Sequence, residues 1–393
     1  MKQVLVAGVG MIPFKKPGDS LPYHEMGAQA ARQALADAGL QYDDVQQAYV
    51  GYVYGDSTSG QRALYEVGLT GIPVVNVNNN CSTGSTALFL ARQAVGSGIV
   101  DCAIALGFEQ MQPGAIALHW QDRPNAFERF DDLCDREAGG SGLPLALRYF
   151  GGAGREHMEK FGTRLETFAK VRVKASRHAA NNPLALLRKV LTVEDVMQSP
   201  ALWPGVLTRL MACPPTCGAA AAIIVSEEFA ARKGLSPGVA ILAQAMVTDR
   251  PDTFQTNSMI DLVGFHLSAG AAAQVYEQVG IGPDDVDVCE LHDCFAQNEL
   301  ITYEALGFCP VGEAERFVDE ERNTYGGDVV VNPSGGLLSK GHPLGATGLA
   351  QCYELTRQLR GSAEATQVEG ARIGLQHNLG LGGAAVVTMY GRA

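Results

Sequence analysis

No apolar run in this chain approaches the roughly 20 residues that cross a bilayer as a helix, so no membrane span is expected. Basic clusters are missing too. Lys and Arg number 30 against 42 Asp and Glu, for a formal net charge of −12, and no cationic block exceeds a pair or so. That argues against a nucleic-acid surface and against a polybasic membrane patch, and leaves any anionic ligand to be met by a local basic site. The nine cysteines (81, 102, 134, 213, 217, 289, 294, 309, 352) are an odd, scattered set, unlike a secreted disulfide scaffold. They are expected to be reduced. Cys213 and Cys217 lack a second Cys/His pair at zinc spacing, so no structural metal is expected. Gly8-Val-Gly10 lacks the third glycine and matched acid of a dinucleotide fingerprint. The N-terminus enters a strand pattern directly without a signal-peptide layout, and Tyr390-Gly-Arg-Ala393 is not a peroxisomal address. A cytoplasmic protein is expected.

What is present is core-forming material: 393 residues, 46% hydrophobic and 18% charged, with 46 glycines. That is enough for more than one domain or one large duplicated one. Strand-like runs (4–9, 48–54, 74–77, 102–106) alternate with helical patterns (26–38, 85–95), which predicts an α/β fold with a mainly parallel sheet covered on both faces. The theme repeats. Gly218–Ser226 resembles Gly382–Tyr390, and the helix opened by Gly84-Ser-Thr-Ala resembles that opened by Gly345-Ala-Thr-Gly, so a pseudo-twofold should bring two equivalent helix starts face to face. In the second half the last two strand candidates, 372–376 and 384–390, are nearly contiguous. Their first-half counterparts, 102–106 and 219–225, are separated by roughly a hundred residues rich in basic charge, a size that points to function rather than a simple loop. The expected division is 1–115 for the first half, 116–213 for the insertion covering substrate, 214–237 closing the first half, and 238–393 for the second half.

Four segments carry chemistry. In Asn78-Asn-Asn-Cys81-Ser-Thr-Gly84, a cysteine sits where turn residues give way to a helix. Unpaired amides and the positive end of the dipole there predict a low-pKa thiol, a nucleophile's setting. Glu290-Leu-His-Asp-Cys-Phe-Ala296 follows a strand-like run, 286–291, so His292 and Cys294, two apart, would project to one side. Ser334–Gly348 holds Gly341-His-Pro343 at a helix start. His377-Asn-Leu-Gly-Leu-Gly-Gly383 is a turn able to present amides to an oxyanion. Each alone reads as a buried filler, cap or turn; their joint occurrence does not.

Together these segments resemble the thiolase superfamily, and within it the sterol carrier protein 2-type thiolases. Asn-Xaa-Xaa-Cys81-Ser-Thr-Gly and Gly341-His-Pro-Leu-Gly-Ala-Thr-Gly348 are similar to the general thiolase signatures. His292–Phe295 and His377–Gly383 mark the sterol-carrier type, and the resemblance spans essentially the whole chain. Where general thiolases carry Asn-Glu-Ala-Phe this chain has His292–Phe295, and where they carry Cys-Xaa-Gly it has Asn378-Leu-Gly380, so Cys294 is the evident replacement for the acid/base cysteine. Cys217 stands where an aspartate is usual and is given no role. The resemblance implies two duplicated βαβαβαββ halves in an α-β-α-β-α sandwich, and thiolytic cleavage of a 3-oxoacyl-coenzyme A or the reverse Claisen condensation. By that resemblance Cys81 is the nucleophile, His342 its base, Cys294 the acid for the enolate and His292 the enolate donor, with the backbone amides of Cys81 and Gly380 as oxyanion donors. Coenzyme A (CoA) is a co-substrate; no permanently bound cofactor is implied. A homodimer or dimer of dimers is expected, with an accessory small subunit as one option, and the lipid-binding domain that follows some relatives is expected to be absent after Ala393. The alternatives are a retro-aldolase of the same fold working with a partner subunit, and a non-enzymatic acyl-CoA or lipid carrier.

Overall fold

The computed structural model describes residues 2–114, 120, 122–139 and 142–393; the boundary expected at 115/116 lies outside them. The strands are β1 (Val4–Met11), β2 (Gln47–Gly51), β3 (Val74–Val77), β4 (Cys102–Glu109), β5 (Ala201–Trp203), β6 (Leu207–Thr208), β7 (Gly218–Ser226), β8 (Val239–Val247), β9 (Val288–Glu290), β10 (Val330–Val331), β11 (Ile373–Gly380) and β12 (Ala384–Arg392). Ten of them run in the order β10-β9-β11-β12-β8-β1-β7-β4-β2-β3, while β5 and β6 form a separate hairpin.

That order contains the duplication. Taking the strands of each half in chain order, both halves read third-second-fourth-fifth-first: β3-β2-β4-β7-β1 and β10-β9-β11-β12-β8. The directions repeat as well. In each half the second strand is parallel to the third and fourth, and the fifth is antiparallel to the fourth and first. The halves meet where Leu5 of β1 pairs with Ala240 of β8.

Side-chain alternation sorts the layers. On β4, Cys102, Ile104 and Leu106 pack outward with Met26, Ala30 and Ala34 of helix Tyr23–Ala38, while Ala103 and Ala105 face the centre. There they meet helices Thr83–Gly96 and Leu344–Arg360, which also touch each other, and beyond them the second-half sheet and helix Phe265–Val279. The result is five layers, α-β-α-β-α. Small residues make the centre possible: a Cβ on Gly107 or Gly84 would run into the carbonyl oxygen of Gly345, so the two central helix starts approach backbone to backbone.

Between β4 and β7 lie helices Glu128–Glu137, Leu145–Phe161, Leu165–Ala179 and Val193–Met197 with the β5–β6 hairpin. Helix Leu165–Ala179 docks through buried cations. Lys174 bonds to Glu299 and to the Val331 carbonyl, and Arg172 to Ser339. These charges hold the insertion to the second half, so they are not the local basic site expected to meet an anionic handle. Two strand expectations were too long. The run through Tyr54 stops at Gly51 because the Val53 and Tyr54 amides bond to the Glu109 carboxylate instead of a neighbouring strand. The run through Leu291 stops at Glu290, since the Leu291 amide bonds to the Asn332 side chain.

Candidate active site

The pseudo-twofold places the two helix starts, and with them Cys81 and His342, at one point in the centre. Cys81 Sγ and a ring nitrogen each of His292 and His342 all lie within 4.8 Å of one another, and all three residues are buried. A Cys-His-His set is also one that a zinc ion accepts, but the hydrogen bonds give each member a distinct proton role.

His342 precedes Pro343, the N-cap of helix Leu344–Arg360. Its Nδ1 lies 2.7 Å from Thr347 Oγ1, and that hydroxyl donates its own hydrogen to the Pro343 carbonyl at 3.0 Å. The hydroxyl therefore accepts, Nδ1 carries the proton, and Nε2 presents a lone pair. Nε2 is buried without a partner among the described residues, the state of a base waiting for a proton. The His342 backbone is fixed by its amide, which donates to Thr216 Oγ1 at 3.1 Å.

His292 is set the other way. The Ser85 hydroxyl accepts from Gln376 and donates to Asn378 Oδ1, at 2.8 Å each, which orients the Asn378 amide. Asn378 Nδ2 then donates to the Cys81 carbonyl at 3.1 Å and to His292 Nδ1 at 3.0 Å. The His292 proton is thus on Nε2, a donor. The two rings stand edge to face, centroids 5.0 Å apart. Burial holds His342 down to about 3 and His292 well below its usual value, the latter also by the charges His342 and His377 would carry, so both are neutral near pH 7.

Cys81 departs from expectation. The amides of Ser82 and Thr83 are already bonded to the carbonyls of Asn79 and Asn80, so they are not free to face the thiol. The thiol donates to Asn80 Oδ1 at 3.6 Å. Burial pushes it up to about 12; the Leu381 amide and its own amide oppose this, and the Glu109 carboxylate adds to it. The low-pKa reading is overturned because desolvation outweighs the helix end. Gly380 abuts the Cys81 loop so closely that a Cβ would overlap the Asn79 carbonyl, while the amide that pulls the thiol back down is that of the next residue, Leu381.

Cys294 is buried, in the bend before helix Ala296–Ala305 rather than on a strand, so the one-sided projection argued from an extended segment does not apply. Its carbonyl accepts from the Cys213 amide at 2.9 Å. Burial raises its thiol well above normal, and the charges that Cys213, Cys81 and Asp293 would carry add to this. Asp293 between the two predicted residues caps the turn Gly336–Ser339 through the Leu337 and Leu338 amides, tying the His292 loop to the His342 loop. Sequence reasoning missed Asn378, Thr347, Thr216 and Leu381. Only Asn378 left a signal, by standing where general thiolases carry their second cysteine.

A Thiolase N-terminal domain matches residues 4–184 and a Thiolase C-terminal domain-like family matches 249–392. Sterol carrier protein 2 of Oryctolagus cuniculus is 55% identical over 99% of this chain and 72% of its own length. The chain belongs to the thiolase family. A second relative of this thiolase, acetyl-CoA acetyltransferase of Methanothermobacter thermautotrophicus, is 34% identical over the full length of both. Among solved structures the fold is shared with the Ltp2-ChsH2(DUF35) aldolase, at a TM-score of 0.83 and 24% identity over 99% of this chain and 98% of the other.

Proposed function

We propose that this thiolase is an acyl-CoA C-acyltransferase that cleaves 3-oxoacyl-CoA to acetyl-CoA and a shortened acyl-CoA, or runs the reverse condensation. Cys81 Sγ attacks the C3 ketone as its proton passes to His342 Nε2. The oxygen on C3 is held by backbone amides, with Gly380 and Cys81 as the proposed donors. C2–C3 breaks, leaving acyl-Cys81 and an acetyl-CoA enolate whose oxygen accepts from His292 Nε2–H. Cys294 gives its proton to the enolate carbon and regains one from incoming CoA. The CoA thiolate takes the acyl group, and the His342 proton returns to Cys81. The observation that carries this reading is the pair of opposite tautomers beside one thiol: a lone pair on His342, a donor on His292.

The aldolase reading draws on the fold of the Ltp2-ChsH2(DUF35) assembly alone. An aldol cleavage has no use for a thiol nucleophile, and Cys81 is retained with its base. Steady-state assays with 3-oxoacyl-CoA substrates of varied length and branching plus CoA should yield acetyl-CoA and the shortened acyl-CoA. Absence of cleavage across the panel, with 3-hydroxyacyl-CoA cleaved instead, would establish the aldolase.

A further inference from the structure

Glu109 ends β4 with no exposed surface. No cation pairs with it among the described residues. Its carboxylate accepts backbone amides from Val53 at 3.1 Å and Tyr54 at 2.9 Å, in the loop after β2, and from Gly345 at 3.0 Å. Gly345 is the second residue of helix Leu344–Arg360, directly after His342-Pro343, so the carboxylate occupies the positive end of that helix dipole. We propose that Glu109 is a positioning residue, a buried anion that pins the start of the His342 helix to the first-half sheet and turns a negative charge toward Cys81.

The duplication supports this. The equivalent strand of the other half, β11, ends at Gly380 against the Cys81 loop with no side chain at all, and β4 ends in a carboxylate against Gly345. One strand end brings backbone to the nucleophile; the other brings charge to the base. Burial pushes the Glu109 carboxyl up to about 7, against the pull of its three amides. Among the described residues the titratable groups that touch or electrostatically influence Cys81 are His342 from the loop before its helix, His292 and Cys294 from the loop after β9, Cys213 from the segment entering β7, and Glu109 from β4. Of these Glu109 is the one that ionises across neutrality, and once anionic it disfavours a resting thiolate. Cys81 then ionises only as its proton moves to His342.

This proposal rests on the reading of Cys81 and His342 as a reacting pair, and its test reads the thiol rather than turnover. With iodoacetamide at about pH 8, Glu109→Gln should alkylate at Cys81 about tenfold faster than wild type, the effect of a shift of roughly one unit. Glu109→Asp, which keeps the charge, should stay within about twofold of wild type. In wild type, the logarithm of the rate should rise with pH at less than unit slope around pH 7, as Glu109 ionises, and at unit slope on either side. Equal rates in the Gln variant and wild type, or a straight wild-type profile should the Gln variant fail to fold, would overturn the proposal. Loss of thiolysis in wild type would instead count against the catalytic reading and leave this measurement intact.

Discussion

At the scale of single residues, the outcome at Cys81 is decided by magnitudes. A helix N-terminus contributes typically 0.3–1 kcal/mol to a nearby anion, whereas full burial moves a pKa by up to 3–5 units, at about 1.4 kcal/mol each. The thiol is buried, and burial wins. The histidines teach the complementary lesson: which ring nitrogen is basic depends on Thr347 and Asn378, not on the histidine's own neighbours in sequence. Asn378→Ala should therefore free His292 to adopt either tautomer and lower kcat by about 10²–10³-fold, the usual cost of a lost oxyanion donor. Little change in KM for CoA should accompany it. Wild-type kcat in Asn378→Ala would remove Asn378 from the mechanism. That Cys81, His292 and His342 come together was legible because each sits in a compact motif. Asn378 and Thr347 were not, since their roles arise from what folding brings to them: Ser85 and Gln376 on one side, the Pro343 carbonyl on the other.

Among the secondary-structure elements, starts and ends matter more than lengths. The central helices were readable from their Gly-Ser-Thr-Ala and Gly-Ala-Thr-Gly openings, and the alternation of strand and helix gave the α/β class but not the mainly parallel sheet expected of it, since β1, β7, β8 and β12 pair antiparallel with their neighbours. Strand ends were misjudged at Gly51 and Glu290 because a buried side chain, Glu109 or Asn332, captures the next backbone amides, and apolar patterning carries no mark of such a partner. Close backbone approach leads to a further expectation. Gly380→Ala places a Cβ against Asn79 and Ser82, so the Cys81 loop must shift. A displacement of about 1 Å near a reacting atom costs on the order of 10²-fold. The variant should fold, by circular dichroism, yet lose at least that factor in kcat/KM; full activity would show that the loop tolerates displacement and that the Gly380 assignment is wrong.

For the whole molecule, the repeat seen in the letters 218–226 and 382–390 became an identical strand order in both halves, and the roughly hundred-residue gap became a helical insertion anchored by Arg172 and Lys174. The docking charges could not be anticipated, because burial turned cations that looked available for a ligand into internal ties. Strand β3 ends the sheet half-exposed with Val75 outward, an open edge of the kind proteins cover. A second copy of the chain is the proposed cover. Sedimentation at micromolar concentration should give a dimer or larger, and a fully active monomer of 41.6 kDa would refute this. All these scales converge on one covalent step. Intact-mass measurement after incubation with acetyl-CoA should show one acetyl group on wild type, mapped to Cys81, and none on Cys81→Ala. Cys294→Ala should still acquire the group while its thiolysis falls by about 10²–10⁴-fold. Acetylation of Cys81→Ala to the wild-type extent, or wild-type thiolysis by Cys294→Ala, would contradict the account.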